Sequence, residues 1–257
     1  MCRWAAYIGE PIFVEDIVTK PSESLIRQSR HARMGKTEVN GDGFGLAWYG
    51  ERHFPGQFRD IHPAWSDQNL RSLSAQIRSG HFLAHVRAST ETATSRNNCH
   101  PFTYGRWSFM HNGQVGGFGR FRREVDMMIP DALYDHRMGA TDSEALFLLA
   151  IANDLDADPK AAVERATGQL EALAREAGSA PYVHMTAAIS DGDHLYAVRY
   201  ASDGDPPTLY HERHGDGRVV VSEPLDDQTR DWAEIPLHSW AEITPGGVDA
   251  EKFVPQG

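Results

Sequence analysis

Residues 2–8, Cys-Arg-Trp-Ala-Ala-Tyr-Ile, decide the fold, because an apolar and aromatic run begins at the second position of the chain. Such a run predicts a buried strand, with Cys2 at its head. Outward from it, residues 41–50 (GDGFGLAWYG) place Phe44, Leu46 and Trp48 on one face and Gly45, Ala47 and Tyr49 on the other, a strand entered through a glycine-rich turn. Residues 81–89 (HFLAHVRAS) alternate in the same way. Phe82, Ala84, Val86 and Ala88 form a core face; Leu83, His85, Arg87 and Ser89 form a wet or functional one. Residues 107–111 predict a further strand that runs into Asn112-Gly113.

Helical segments separate these strands. Ser22 or Ser24 opens a short helix over 22–34, and Ser66 or Asp67 caps one with Leu70, Leu73 and Ile77 on a face and Gly80 at its end. Thr141-Asp142-Ser143-Glu144 reads as a capping box before an apolar run to Leu155. Asp158-Pro159 opens the next helix, which Gly178 closes. Residues 183–190 and 194–201 flank the hairpin signal Asp191-Gly192-Asp193, and strands at 207–213 and 218–222 follow. No linker or internal repeat divides the chain, so the order of strands, two helices and strands predicts a single α+β domain over 1–257.

The chain has 257 residues, 25 Lys+Arg and 36 Asp+Glu, for a net charge of −11. That balance argues against a general nucleic-acid or membrane-surface binder. Hydrophobic residues make up 40% and charged residues 24%, the usage of a globular protein rather than a disordered one. Two cysteines, Cys2 and Cys99, make no disulfide framework. The first twenty residues hold Glu10, Glu15 and Asp16 and no long apolar run, so the expected compartment is the cytoplasm. The thirteen histidines show no metal-ligand spacing; His211 and His214 around Glu212-Arg213 lack the helical HExxH pattern. No metal or organic cofactor is expected.

Removal of Met1 would leave Cys2 with a free thiol and a free α-amine. A thiol of pKa about 8.5 needs a base, and an α-amine of pKa about 7.7–8.0 is the nearest one. A second-position cysteine alone is weak, but four other segments accompany it: residues 41–45, residues 85–90, His111-Asn112-Gly113-Gln114 and residues 141–144. With Met1-Cys2-Arg3, their order and wording resemble the class-II glutamine amidotransferases, N-terminal-nucleophile hydrolases that cut the side-chain amide of glutamine. The resemblance extends to Asn98-Cys99-His100-Pro101-Phe102 and to Ser222-Glu223-Pro224-Leu225. The last segment is most similar to the stand-alone branch, which holds the γ-glutamyl hydrolase of ergothioneine biosynthesis. Phe44 stands where that branch more often has Trp, and Cys99 where many relatives have Thr.

The resemblance implies a four-layer αββα sandwich with two mostly antiparallel sheets. It makes Cys2 the nucleophile, Asn112 and Gly113 the oxyanion hole, Arg87 the clamp on the substrate α-carboxylate and Asp142 the partner of its α-ammonium. A guanidinium fork suits a carboxylate, and amide donors suit a developing oxyanion. Each residue also has a plainer reading: a surface ion pair for Arg87, a hairpin turn for Asn112-Gly113, a helix-dipole charge for Asp142. Cys99 reads as an inert buried thiol, and Gly43 and Gly45 as points of close backbone approach. The expected reaction is hydrolysis of a γ-glutamyl amide through a Cys2 thioester. The expected ligand is a small γ-glutamyl compound, with no nucleic acid or membrane. A homo-oligomer, a synthase partner that receives ammonia, or an idle glutamine-binding module stay open.

Overall fold

The computed structural model describes residues 2–34, 37–89, 92–227 and 231–256. Met1 and Thr90, on which two of the sequence expectations fall, lie outside them. In chain order the first half contains β1 (Arg3–Phe13), α1 (Glu15–Val18), α2 (Leu25–Arg30), β2 (Phe44–Tyr49), β3 (Gly56–Asp60), α3 (Gln68–Gln76), β4 (Arg78–Val86), β5 (Phe102–Tyr104) and β6 (Trp107–Val115). There follow α4 (Phe118–Met128), α5 (Asp131–Tyr134), α6 (Asp142–Ala152) and α7 (Pro159–Glu176). The chain closes with β7 (Val183–Ser190), β8 (Leu195–Ala201), β9 (Tyr210–His214), β10 (Gly217–Val221), β11 (Ala233–Glu234), β12 (Ser239–Thr244) and β13 (Gly247–Lys252).

The strands make two antiparallel sheets. One has seven strands in the order β11-β9-β10-β1-β4-β2-β3; the other has six, β13-β12-β8-β7-β6-β5. Three apolar clusters fill the three spaces between four layers. Ala5, Tyr7, Phe82, Ala84 and Val86 of the first sheet pack under Ile17, Leu25, Ile26 and Leu70 of the first three helices. Trp4, Ala6, Ile8 and Leu83 meet Met110, Ala188, Ala197 and Ala241 between the sheets. Phe109, Met185, Ala187 and Val198 of the second sheet pack under Leu146, Leu149, Val163 and Leu170 of α6 and α7. The fold is the α+β, αββα sandwich. β1 is the central strand of its sheet, paired with β10 on one side and β4 on the other, so Cys2 enters the middle of the molecule.

Caps follow the sequence: Asp67 accepts the Leu70 N–H (2.6 Å), Thr141 the Glu144 N–H (3.1 Å) and Asp158 the Ala161 N–H (3.0 Å). The capping box at 141 is only half made, because the Glu144 carboxylate instead takes Arg137 and the Met138 and Gly139 amides. Two expectations are corrected. Gly80 does not end a helix; α3 stops at Gln76 and Gly80 lies inside β4. The helix over 22–34 shrinks to Leu25–Arg30. The far end of the chain straps onto α7: the Val254 N–H and the Gln256 side chain both reach Glu164, and a Cβ at Gly168 would collide with the Gln256 backbone. No helix among the described residues is long and apolar enough to cross a membrane.

Candidate active site

Antiparallel pairing sets Arg3 opposite Val86, which carries the end of β4 past Cys2. The Ala88 N–H points at Cys2 Sγ (3.4 Å), and the thiol faces the Ala88 carbonyl (3.6 Å). Burial pushes the thiol pKa up; the Ala88 amide and the Arg87 and Arg3 guanidinium groups pull it back. Cys2 is therefore a resting thiol in a setting that contains both a backbone donor and positive charge for the thiolate.

Arg87 is 3% exposed and no surface ion pair. Its Nη1 donates to the Asp42 carbonyl (3.2 Å) and its Nη2 to Ser89 Oγ (3.0 Å) and Thr92 Oγ1 (2.7 Å). Asp42 in turn holds the Ser89 N–H with its carboxylate (2.7 Å). Among the described residues Arg87 has neutral partners only. A buried guanidinium without a carboxylate is costly unless a ligand supplies one.

The Leu83/His85 face of β4, expected to be wet or functional, is buried between the sheets. His85 is 1% exposed; its Nε2 donates to the His111 carbonyl of the opposite sheet (3.4 Å), which leaves Nδ1 a buried acceptor without a partner. The His100 ring lies 4.3 Å from that of His85, with both nitrogens unpartnered. Burial drives His85 down to about 3 and His100 well below its ordinary value. Both are neutral.

Asn112 and Gly113 are not a turn. β6 continues through them to Val115, with Asn112 opposite Thr186 and Gly113 opposite Met185. Asn112 is 1% exposed with its side-chain oxygen unpartnered. Glycine is required at 113 because a Cβ there would run into the His184 carbonyl. Thr186 ties this strand to β1: its hydroxyl donates to the Asn112 carbonyl (3.3 Å) and receives the Trp4 indole N–H (3.4 Å).

Asp142 sits at the first position of α6, but does more than oppose the helix dipole. Its carboxylate accepts the Val115 N–H (2.7 Å) and the Ser143 N–H (2.8 Å), fixing the end of β6 to the start of the helix. Ser143 carries the network to His111 Nδ1 (2.8 Å), whose Nε2 donates to the His184 carbonyl (3.1 Å). The structure thus brings Cys2 against Ala88, the residue after Arg87, within reach of the Arg87 charge. Asn112, Gly113 and Asp142 are grouped on the β6–α6 side, and the Trp4–Thr186 bridge joins the groups. Asp142 bonds β6 and Ser143, not Cys2 or Arg87.

Cys99 is fully buried, donates to the Asp60 (3.4 Å) and Ser95 (3.5 Å) carbonyls, and is pushed up to about 11 by burial. Gly43 and Gly45 make room for residues 99–100: a Cβ at Gly43 would sit 2.6 Å from Cys99 Sγ, and one at Gly45 would strike the His100 carbonyl. Sequence reasoning missed Asp42, Thr92 and Thr186 as supports. Their signal was position alone, one residue before the glycine turn, just past β4, and opposite Asn112.

Comparison with known proteins gives the family. A family model described as class-II glutamine amidotransferases matches residues 16–204. The probable glutamine amidotransferase DUG3 of Saccharomyces cerevisiae is 32% identical over 288 residues, spanning 93% of this chain and 80% of that protein. The gamma-glutamyl-hercynylcysteine sulfoxide hydrolase of Mycobacterium tuberculosis is 29% identical over 250 residues, 96% of this chain and 95% of that protein. The solved structure of a glutamine aminotransferase class-II domain protein from Silicibacter pomeroyi superposes with a TM-score of 0.81 at 43% identity over the full length of both chains. With the sandwich, the sequence match and the length all in accord, this chain is an enzyme that belongs to the class-II glutamine amidotransferases.

Proposed function

We propose that this chain is a single-domain hydrolase that cuts the γ-glutamyl amide bond of a γ-glutamyl thiol compound or peptide, with Cys2 as the nucleophile. The observation that carries the reading is Arg87: a buried guanidinium with neutral partners only among the described residues, next in sequence to Ala88, whose N–H points at the Cys2 thiol. A free α-carboxylate is the natural occupant of that fork. Asp142 then meets the α-ammonium, and the γ-carbonyl is left for Cys2.

Cys2 Sγ attacks the γ-carbonyl carbon, and its proton passes through the Cys2 α-amine, freed by loss of Met1, to the departing nitrogen. The carbonyl oxygen becomes an oxyanion held by the Asn112 side-chain NH₂ and the Gly113 N–H. Collapse breaks the C–N bond, releases the amine product and leaves a γ-glutamyl thioester. Water, deprotonated by the same amine, attacks the thioester; glutamate leaves and the thiol is restored. Every step uses groups of the chain and water. Similarity over nearly the whole length of a γ-glutamyl-hercynylcysteine sulfoxide hydrolase supports a bulky leaving group over ammonia, because contacts remote from the reacting bond can lower its barrier.

The test is a panel of γ-glutamyl compounds scored by glutamate release, with Cys2→Ala as the blank. Faster release from a γ-glutamyl thiol compound or peptide than from glutamine is the expected result. Cleavage of glutamine alone, and only after a second protein is added, would replace this reading with that of an ammonia-donating subunit.

A further inference from the structure

The segment 222–225 follows β10, lies outside every step above, and is bonded from four directions. Ser222 Oγ accepts the Trp4 N–H (2.9 Å), and the Ser222 N–H donates to the Trp4 carbonyl (3.0 Å). The Gln28 side-chain NH₂ of α2 donates to the Glu223 (3.2 Å) and Pro224 (3.0 Å) carbonyls. The Leu225 carbonyl takes the Glu23 N–H (2.9 Å). The Glu223 side chain, 3% exposed, takes the Arg33 N–H (2.9 Å), the Met34 N–H (3.1 Å) and Arg3 Nε (2.8 Å). Arg3, 1% exposed, spends Nη1 on the Cys2 carbonyl (2.8 Å) and leaves Nη2 buried without a partner.

From this chain of contacts we propose that Glu223 is a positioning residue for the nucleophile: through Arg3 it fixes the Cys2 carbonyl, and through the Arg33 and Met34 amides it couples that placement to the seating of residues 33–34. The proposal rests on Cys2 being the nucleophile. Ala88 fixes only the sulfur end of Cys2, and its backbone lies just ahead of β1, outside the strand ladder, where a chain frays. Arg3 Nη1 is the bond that stops the Cys2 backbone from turning, and Arg3 can hold that direction only while Glu223 grips Nε. A buried ion pair gives little net stability over an apolar pair of the same volume. Its effect is therefore sought in geometry, where a shift of about 1 Å at a reacting group costs about a hundredfold in rate.

The two partners also make opposite demands. Arg3 sits beside a thiol that must lose its proton, and its charge favours the thiolate. Glu223 neutralises much of that charge. Removal of the carboxylate therefore improves thiolate formation while loosening the geometry, so reactivity toward a small alkylating agent and turnover of substrate move in opposite directions. A part that merely held the fold together would lower both.

The experiment compares Glu223→Gln and Arg3→Lys with the wild type and Cys2→Ala, in kcat, KM and the rate of Cys2 alkylation by iodoacetamide. Glu223→Gln keeps the side-chain shape and removes the charge; Arg3→Lys keeps the charge, and hence the ion pair and the fold, but removes the Nη1 bond. Expected is a loss of about tenfold or more in kcat for both, KM changed by less than about threefold, and alkylation in Glu223→Gln at least as fast as in the wild type. Wild-type kcat in Arg3→Lys, or alkylation and turnover falling together with the melting temperature, would overturn the positioning role. Activity in Cys2→Ala would overturn the nucleophile itself, so the two readings fail separately.

Discussion

Cys2 Sγ receives the Ala88 N–H as well as facing the Ala88 carbonyl, whereas Cys99 Sγ gives its own proton to the Asp60 and Ser95 carbonyls. Cys99 is fully buried and Cys2 half-buried, and burial raises both pKa values. What separates them is the polarity of the backbone they face. An amide hydrogen aimed at sulfur stabilises the thiolate; a carbonyl oxygen aimed at it stabilises the thiol. Two cysteines of one chain are thus set up for different chemistry by one peptide N–H and by access, since Cys2 is half-buried and Cys99 fully buried.

The sharpest way to break this contrast is to remove each thiol. Cys2→Ala should cost at least about 10³-fold in glutamate release, with folding kept, since the swap is small and at the chain end. A glutamine-mimicking electrophile should label the wild type at Cys2 by peptide mass; label on Cys99 alone would reverse the assignment. Next in size is the buried guanidinium of Arg87, whose charge favours the thiolate of both cysteines. Arg87→Lys should raise KM about 10–100-fold, about 1.4–2.8 kcal/mol, as a point charge replaces a fork. Asp142→Asn should act in the same direction. Substrates lacking the α-carboxylate or α-amine should be equally poor with the wild type, and their normal turnover would remove both residues from the site.

Acid should weaken the ground between the two cysteines. His85, two residues from Arg87, is held down to about 3 by burial, and His100 lies beside Cys99. An unfolded histidine titrates near about 6.5. Between those values the unfolded chain binds protons that the folded one refuses. Stability is therefore full above about pH 6.5 and is lost as pH falls toward 3, by about 2 kcal/mol at pH 5 for His85. Melting temperatures from pH 8 to 5 test this; a flat profile would mean that these rings are hydrated. The smallest effect is expected from Cys99→Ala, with kcat within about twofold of the wild type and a stability loss of about 1 kcal/mol for the lost contacts. A larger kcat loss would show that the buried thiol matters to Cys2.

Much of this contrast was legible before any coordinates. Alternation over 41–50 and 81–89, the caps at Asp67, Thr141 and Asp158, and the hairpin at 191–193 are local signals, and the structure holds them. The αββα layering followed from the family resemblance. What could not be read was everything that depends on one sheet lying on the other. The Leu83/His85 face passed as wet or functional because polar residues mark it, although the opposite sheet covers it. Asn112-Gly113 carries a hairpin signature that β7 overrides by pairing along its whole length. The β12–β13 hairpin was not seen: β13 has exposed residues where a half-buried strand would alternate. At the site, Arg87 was found by its neighbours in sequence, but Asp42 and Thr92, which hold it, and Arg3 with Glu223, 220 residues apart, meet only through the fold.

The strap of residues 254–256 along α7 and the strand that starts beside Cys2 are unequal places at which to label the protein. Under the proposed mechanism nothing can be fused ahead of Cys2 without occupying its amine. A dye or affinity tag joined after the strap starts instead from the helical flank of the other sheet, where Glu164 holds the last turns of chain in place.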